Sequence, residues 1–400
     1  MSHNSKHPFS GQIILLKGTS QYDVLRFFID DLYEEFKEQG YNAAIVDLTS
    51  PSAGQELKTL LAQPVFFVLG MNGVGIDLQA GNRSLYDVGG FPFFAFLVDH
   101  PIYHRGRLKS NVQNLIVSCI DKTHVEFINE YENIVCSKVF IPHGARRYTE
   151  PRPFSQRTYR FIFAGSYSNP DHVRKQWQGF DSHLARFLDN AAERALYDSE
   201  RTLPDIFQEL LNEKGLDENP IYLRKLTEVM PLVDRFVRSK RRLMVLEALT
   251  DFPLHVFGNG WDECPLYGHN QWVFHPPVSY IEMQELMGDS QMVLSVLPYF
   301  QFGGHERIFS AMLAGAVLLT DTNAYLNQNF RPDKDFVPYS LTEPDRLRQQ
   351  VGALFDDPVL LEEMAESGRE AIMRGHLWKH RTEQIVEAVK FHYTFYPLHM

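Results

Sequence analysis

Twelve short apolar runs punctuate this chain, each bounded by turn residues and most separated from the next by a stretch of helical periodicity. GQIILLKGTS, NAAIVDL, PVFFVLG, FPFFAFLVD, NLIVSC and IVCSKVFIP occupy roughly the first third. RFIFAGSY, PLHVFGNGW, WVFHPPVSY, MVLSVLP, AVLLTD and FVPYS fill the rest. Continuous apolar strands, rather than alternating ones, must be covered on both faces, and that condition is met by parallel sheets flanked by helices. The first inter-strand segment shows the pattern: Val24, Leu25, Phe28, Leu32 and Phe36 recur at helical spacing, and Gly40 supplies a stop.

The series has two parts. A polar stretch with Pro and Arg, HGARRYTEPRPFSQRTY, reads as a linker between a Rossmann-like domain over 1–150 and a second over 151–380. The segment from about 178 to 250 contains no strand pattern and reads as an all-helical insertion in the second domain. Residues 381–400 form a last amphipathic helix, expected to pack back on the first domain. Four hundred residues exceed what one ordinary core organises, in agreement with two domains. Ligands of such sheets bind beyond the carboxyl ends of the strands, so two such domains are expected to face each other across one cleft.

Composition narrows the function classes. A net charge of −11 opposes broad nucleic-acid binding, which needs basic surface to neutralise phosphates. Three scattered cysteines with no C-x-x-C pair fit a reducing compartment and no thiolate metal site. The polar start MSHNSKHPFSGQ lacks the apolar core of a signal peptide, and no apolar run reaches the roughly 18–20 residues needed to span a bilayer. The expected location is the cytoplasm, which leaves peripheral membrane contact open.

The polar residues that interrupt the apolar runs are the candidate site. FGGHERIFSAML places Gly303, Gly304, His305, Glu306, Arg307 and Ile308 at a helix start. Unsatisfied N–H groups there carry positive partial charge, and His305 and Arg307 add donors suited to a diphosphate. Glu306 suits a pair of sugar hydroxyls. A capped helix with a solvated first turn explains the same residues. Gly165 and Ser166 follow a strand and permit close approach of backbone N–H groups to an anion, as does an ordinary turn. Gly258 and Gly260 offer a ligand wall or another turn. Pro277 and Val278 present an extended backbone to a nucleobase edge, or simply enter a helix. No G-x-G-x-x-G follows the strand at 161–164, and no Walker loop occurs anywhere in the chain. The histidines, His124 and His143 among them, show no metal-ligand spacing, so no metal and no cofactor are expected.

From Tyr159 to about His380, FAGSY, VFGNGW, PPVSYIEMQELM, GGHERIFSAMLAGAVLLTD and HLWKHRTEQIVEAV together resemble the nucleotide-sugar-binding domain of GT-B glycosyltransferases. The likeness is greatest to the CgeB-type (spore-maturation-protein-like) group. FLVDHP and FIPHGA give the first domain a looser resemblance to the acceptor domain. The resemblance implies the GT-B architecture, an α/β fold, and transfer of a sugar from a nucleotide-diphosphate donor to an unidentified acceptor. Many retaining members carry two glutamates separated by seven residues. Phe302 and Ser310 stand at those positions here, and Glu306 lies one turn ahead of Ser310. Asp99, ending a strand, is a candidate general base on the acceptor hydroxyl; His100 is the alternative, and a turn-capping Asp before His-Pro explains both. Gly18-Thr19-Ser20 and the loop at 70–75 belong to the expected acceptor side. An epimerase or phosphorylase on the same architecture, and a catalytically silent nucleotide-binding subunit, remain as other readings.

Overall fold

The run QIILLK forms β1 (Gln12–Lys17), five of whose six residues are buried, as its lack of alternation requires. It pairs in parallel with β2 (Ala43–Asp47), Leu15 opposite Ile45, and with β3 (Val65–Met71), Leu15 opposite Leu69. A two-stranded hairpin, β4 (Gln79–Ala80) with β5 (Arg83–Ser84), interrupts the series. It resumes with β6 (Phe93–Leu97), β7 (Leu115–Cys119) and β8 (Ser137–Phe140). The sheet order is β2-β1-β3-β6-β7-β8, every pair parallel. This computed structural model describes residues 10–198, 200–216 and 220–396. By internal contacts the chain divides into one unit of residues up to Gly144 together with those from His376 onward, and a second of Ala145–Gly375.

Two helices show how the first unit is covered. Helix Val24–Glu38 buries Phe28, Ile29, Leu32 and Phe36, one stripe at three- and four-residue steps, and Gly40 follows with φ of 83°. Helix Trp378–Phe395 lies beside it, although more than 200 residues of the second unit intervene in sequence. Trp378 is fully buried, with its ring centroid 5.5 Å from that of Phe28 and 6.1 Å from that of Phe96. Gly144 gives this tryptophan its space, since a Cβ there would lie 2.8 Å from the Trp378 Cα. Buried Arg381, one turn on, donates to the carbonyl of His143 at 2.9 Å and contacts His376 Nδ1 at 3.0 Å.

In the second unit β9 (Tyr159–Ala164), β10 (Leu254–Phe257), β11 (Trp272–His275), β12 (Ser290–Ser295), β13 (Val317–Asp321) and β14 (Val337–Tyr339) form another six-stranded parallel sheet. Its order is β11-β10-β9-β12-β13-β14. The order reverses between β9 and β12, and ligands of doubly wound sheets bind at the carboxyl ends of such strands. Between β9 and β10 the chain is helical where described, with helices Ser182–Tyr197, Leu203–Asn212, Pro220–Leu226 and Met230–Ala248. Arg241 ties the last of these to the sheet, its Nη2 3.7 Å from the buried Asp321 carboxylate at the end of β13. Burial pushes the Asp321 carboxyl up, and Arg241 and the Leu297 N–H pull against that rise. Among the described residues no helix is long and apolar enough to cross a membrane.

Candidate functional site

At the end of β9 the chain turns through Gly165, Ser166 and Tyr167, and at the end of β10 through Gly258, Asn259 and Gly260. The two turns are laced together. Gly165 N–H donates to Phe257 O at 2.9 Å, Tyr167 N–H to Asn259 O at 2.8 Å, and Trp261 Nε1 to Gly165 O at 2.9 Å. Gly258, at φ 148°, needs no side chain because a Cβ would come within 2.4 Å of Gly165 O. Gly260, at φ 77°, faces Tyr167 O at 2.7 Å on the same criterion. The glycines therefore serve a loop-to-loop approach. The Gly165 amide, which the sequence pattern offers to an anion, is spent within the protein, as is that of Tyr167.

Helix Glu306–Leu313 begins beside this lacing, with His305 as its N-cap residue. The loop before it is held by buried Asn323, whose Nδ2 donates to Phe300 O at 3.0 Å and Gly303 O at 2.9 Å. Gly304 packs against the Phe309 ring, where a Cβ would meet ring carbons at 3.1 Å. Ile308 and Ser310 are buried in the helix. His305, Glu306 and Arg307 interlock. His305 Nδ1 contacts a Glu306 carboxylate oxygen and lies 3.4 Å from Arg307 N, and one ring nitrogen serves only one of these. Glu306 Oε1 is 3.5 Å from Arg307 Nε. Arg307 Nη1 reaches back 2.5 Å to the carbonyl of Ala164, the last residue of β9.

A second guanidinium meets the same turn. Arg242, on helix Met230–Ala248, donates through Nη1 to Ser166 O, and its Nε is buried without a hydrogen-bond partner. Burial, then the charges of Arg307 and Arg238, hold its pKa down to about 9. Among the described residues no carboxylate pairs with Arg242, whereas Arg238 is bonded to Asp234 and Arg241 faces Asp321. Two guanidiniums thus flank Gly165 at the point of strand reversal, and one has no counter-charge among the described residues. The helical segment that supplies Arg242 carries no site residue in the sequence reading. The visible signal is RFVRSKRRL, a dense basic run in an acidic chain.

Pro277 is exposed and Val278 half-buried on the approach to helix Tyr280–Gly288, which Ser279 and Glu282 cap reciprocally. Behind them the His275 ring stacks on Phe257, centroids 4.3 Å apart, and His275 Nε2 meets His255 Nδ1 at 2.9 Å. Burial lowers the pKa of both histidines.

In the first unit, Asp99 and His100 follow β6. Asp99 receives a 2.9 Å hydrogen bond from Asn72 Nδ2, and His104 Nε2 lies 3.8 Å from it, while about half of its side chain is exposed. The His100 ring packs edge-on to His124 and Phe127, and its Nδ1 accepts the Ile102 N–H at 3.1 Å, capping the next turn. Of the pair, Asp99 is the one presented to solvent and His100 the one packed against its neighbours. Gly18 and Thr19, and residues 73–75, line a separate cavity of the same unit. Among the described residues no group of three His, Cys, Asp or Glu side chains is arranged to hold a metal ion.

Residues 238–387 match a family described as "Glycosyl transferase-like". No curated protein sequence matches the chain. Solved structures match over nearly the whole chain. Sucrose-phosphate synthase from Thermosynechococcus elongatus is 8% identical, with TM-score 0.55 over 96% of this chain and 99% of that one. Anabaena HepE in complex with UDP and glucose is 10% identical, with TM-score 0.55 over 95% and 100%. An α-glucosyltransferase in complex with UDP-glucose and DNA containing an abasic site is 12% identical, with TM-score 0.54 over 95% and 99%. At such identities the likeness is one of fold, and the fold is GT-B.

Proposed function

We propose that this protein is a glycosyltransferase that binds a nucleoside-diphosphate sugar on its second unit and transfers the sugar to an acceptor hydroxyl. The observation that carries the reading is the guanidinium pair, Arg242 and Arg307, on the carbonyls of Ser166 and Ala164. Two like charges drawn together with no carboxylate on Arg242 repel, and a bound diphosphate turns that repulsion into charge-assisted hydrogen bonding. The start of helix Glu306–Leu313 adds the positive end of its dipole. The match to a glycosyl transferase-like family includes both arginines. The CgeB-type motifs around 303–321 support the same reading at finer grain.

In the transfer, the bond from the anomeric carbon to the diphosphate breaks and a bond to the acceptor oxygen forms. Arg242 and Arg307 stabilise the leaving diphosphate, and the acceptor proton passes to Asp99. The protein supplies the cations that a metal would otherwise provide, so turnover is expected to persist in EDTA. A strict requirement for Mg²⁺ or Mn²⁺ would remove this part of the reading.

The solved relatives holding UDP make it the first nucleotide to test. UDP is expected to raise the melting temperature of the wild-type protein, and Arg242→Gln to weaken UDP binding about 10- to 100-fold, the usual range for one hydrogen bond to a charged group. Equal UDP affinity in the two proteins would take the diphosphate away from this turn. A silent nucleotide-binding subunit is the second reading, favoured by Phe302 and buried Ser310 at the positions of the two glutamates. Hydrolysis of UDP-glucose by the purified protein decides against it.

A further inference from the structure

The first unit contains a cavity of about 580 Å³ among the loops that follow β1, β2 and β3 and the segment Gly106–Val112. These loops lie at the carboxyl ends of the strands where this sheet reverses its order, between β1 and β3. The volume falls within the range of roughly 300–1,000 Å³ usual for small-molecule sites. Its floor is apolar, with Leu48, Val74, Ile76 and Val112, and its polar wall is uneven in charge. Arg107 and Lys109 stand on one segment, against the single carboxylate of Asp77. In a chain of net charge −11 an excess of cations around a concave surface is a local exception. Ser110, also in the wall, has a buried hydroxyl with no hydrogen-bond partner, a group that costs free energy until something bonds to it.

One residue connects this cavity to Asp99. Asn72 is 5% exposed and sits at φ 50°, a left-handed conformation uncommon outside glycine. Its backbone carbonyl accepts Arg107 Nη1 at 2.9 Å, its Nδ2 donates to Asp99 at 2.9 Å, and its Oδ1 accepts the Val98 N–H at 2.9 Å. A cation of the cavity wall and the carboxylate beyond it are thus both positioned by a single buried asparagine. Strain of this kind persists where the surrounding contacts over-determine it.

We propose that this cavity binds a small hydroxylated molecule bearing an acidic group, a phosphorylated or carboxylated sugar, and that this molecule is the acceptor. Arg107 and Lys109 pair with the acidic group, the loop backbones and Ser110 meet hydroxyls, and the apolar floor takes the ring face. The acceptor role rests on the glycosyltransferase reading; the binding does not.

Isothermal titration of the full chain with glucose 6-phosphate, glucuronate and glucose tests it, each with and without saturating UDP. At least one of the two acids is expected to bind ten times more tightly than glucose, and UDP is expected not to displace it. Which acid it is tells phosphate from carboxylate. Arg107→Gln with Lys109→Gln removes the preference and leaves UDP affinity as it was. Since Arg107 also holds the Asn72 loop, Lys109→Gln alone serves as the milder variant, with the preference reduced at least threefold. Equal binding of all three probes, binding of none, displacement by UDP, or an undiminished preference in Lys109→Gln overturns the proposal. Failure of UDP to bind overturns the glycosyltransferase reading and leaves this site standing.

Discussion

Gly258 is where a single methyl group decides most. Its φ of 148° is closed to side chains, and a Cβ would lie 2.4 Å from the carbonyl oxygen of Gly165. Gly258→Ala is expected to cost roughly 2–4 kcal/mol, backbone strain and overpacking together, visible as a lower melting temperature. UDP affinity would fall with it, because the turn that carries the arginine-bound carbonyls shifts too. At Asp99 the expected effect is chemical: Asp99→Asn lowers transfer about 10²- to 10⁴-fold with UDP affinity unchanged. His100→Ala, which loses a cap and a ring contact, lowers the melting temperature first. Full transfer by Asp99→Asn would move the base elsewhere. The helix start at Glu306 was legible in the sequence, since Gly-Gly-His-Glu-Arg before an apolar run is a local pattern. Arg242 was not. It stands 76 residues from its partner Ser166, and only the packing of helix Met230–Ala248 reveals the contact.

At the scale of elements, each of the twelve apolar runs contains a strand, because burial on both faces leaves an unbroken apolar stretch with turn residues at its ends. The β4–β5 hairpin escaped that reading: Gln79–Ala80 and Arg83–Ser84 hold no apolar run at all. The C-terminal helix makes a prediction about pH. His392 lies buried on it, Nδ1 2.6 Å from Ser137 Oγ, and burial holds its pKa down to about 4, against about 6.5 for an unfolded histidine. Below about pH 6.5 the unfolded chain takes up a proton that the folded chain refuses. Stability is therefore full above that pH and falls as the pH drops toward 4, by roughly 1.4 kcal/mol per pH unit from this group. His376, held near 3 by burial and by Arg381, adds to the slope. Melting temperatures measured from pH 7.5 to 4.5 should fall, and fall less steeply in His392→Gln. Parallel curves for the two proteins would show that His392 does not titrate in this way.

At the scale of the molecule, the chain passes from one unit to the other twice, after Gly144 and after Gly375. The second unit is one unbroken stretch with its own apolar core, so a fragment of residues 145–375 is expected to fold alone, with a cooperative melt and UDP-dependent stabilisation. A fragment ending at residue 144 is expected to be poorly soluble. It lacks the helix whose Trp378 covers Phe28 and Phe96, and truncation of such a buried ring costs about 3–5 kcal/mol by itself. A soluble, cooperatively melting 1–144 would show that the helix is an accessory. The same interleaving gives the polypeptide a timetable. Translation at about 5–20 residues per second leaves the first sheet waiting on the order of 10–50 s, while the roughly 250 residues up to the end of helix Trp378–Phe395 emerge. The part of the protein made first is thus completed last, and throughout that interval the nascent chain presents an uncovered aromatic surface to whatever chaperones attend the ribosome.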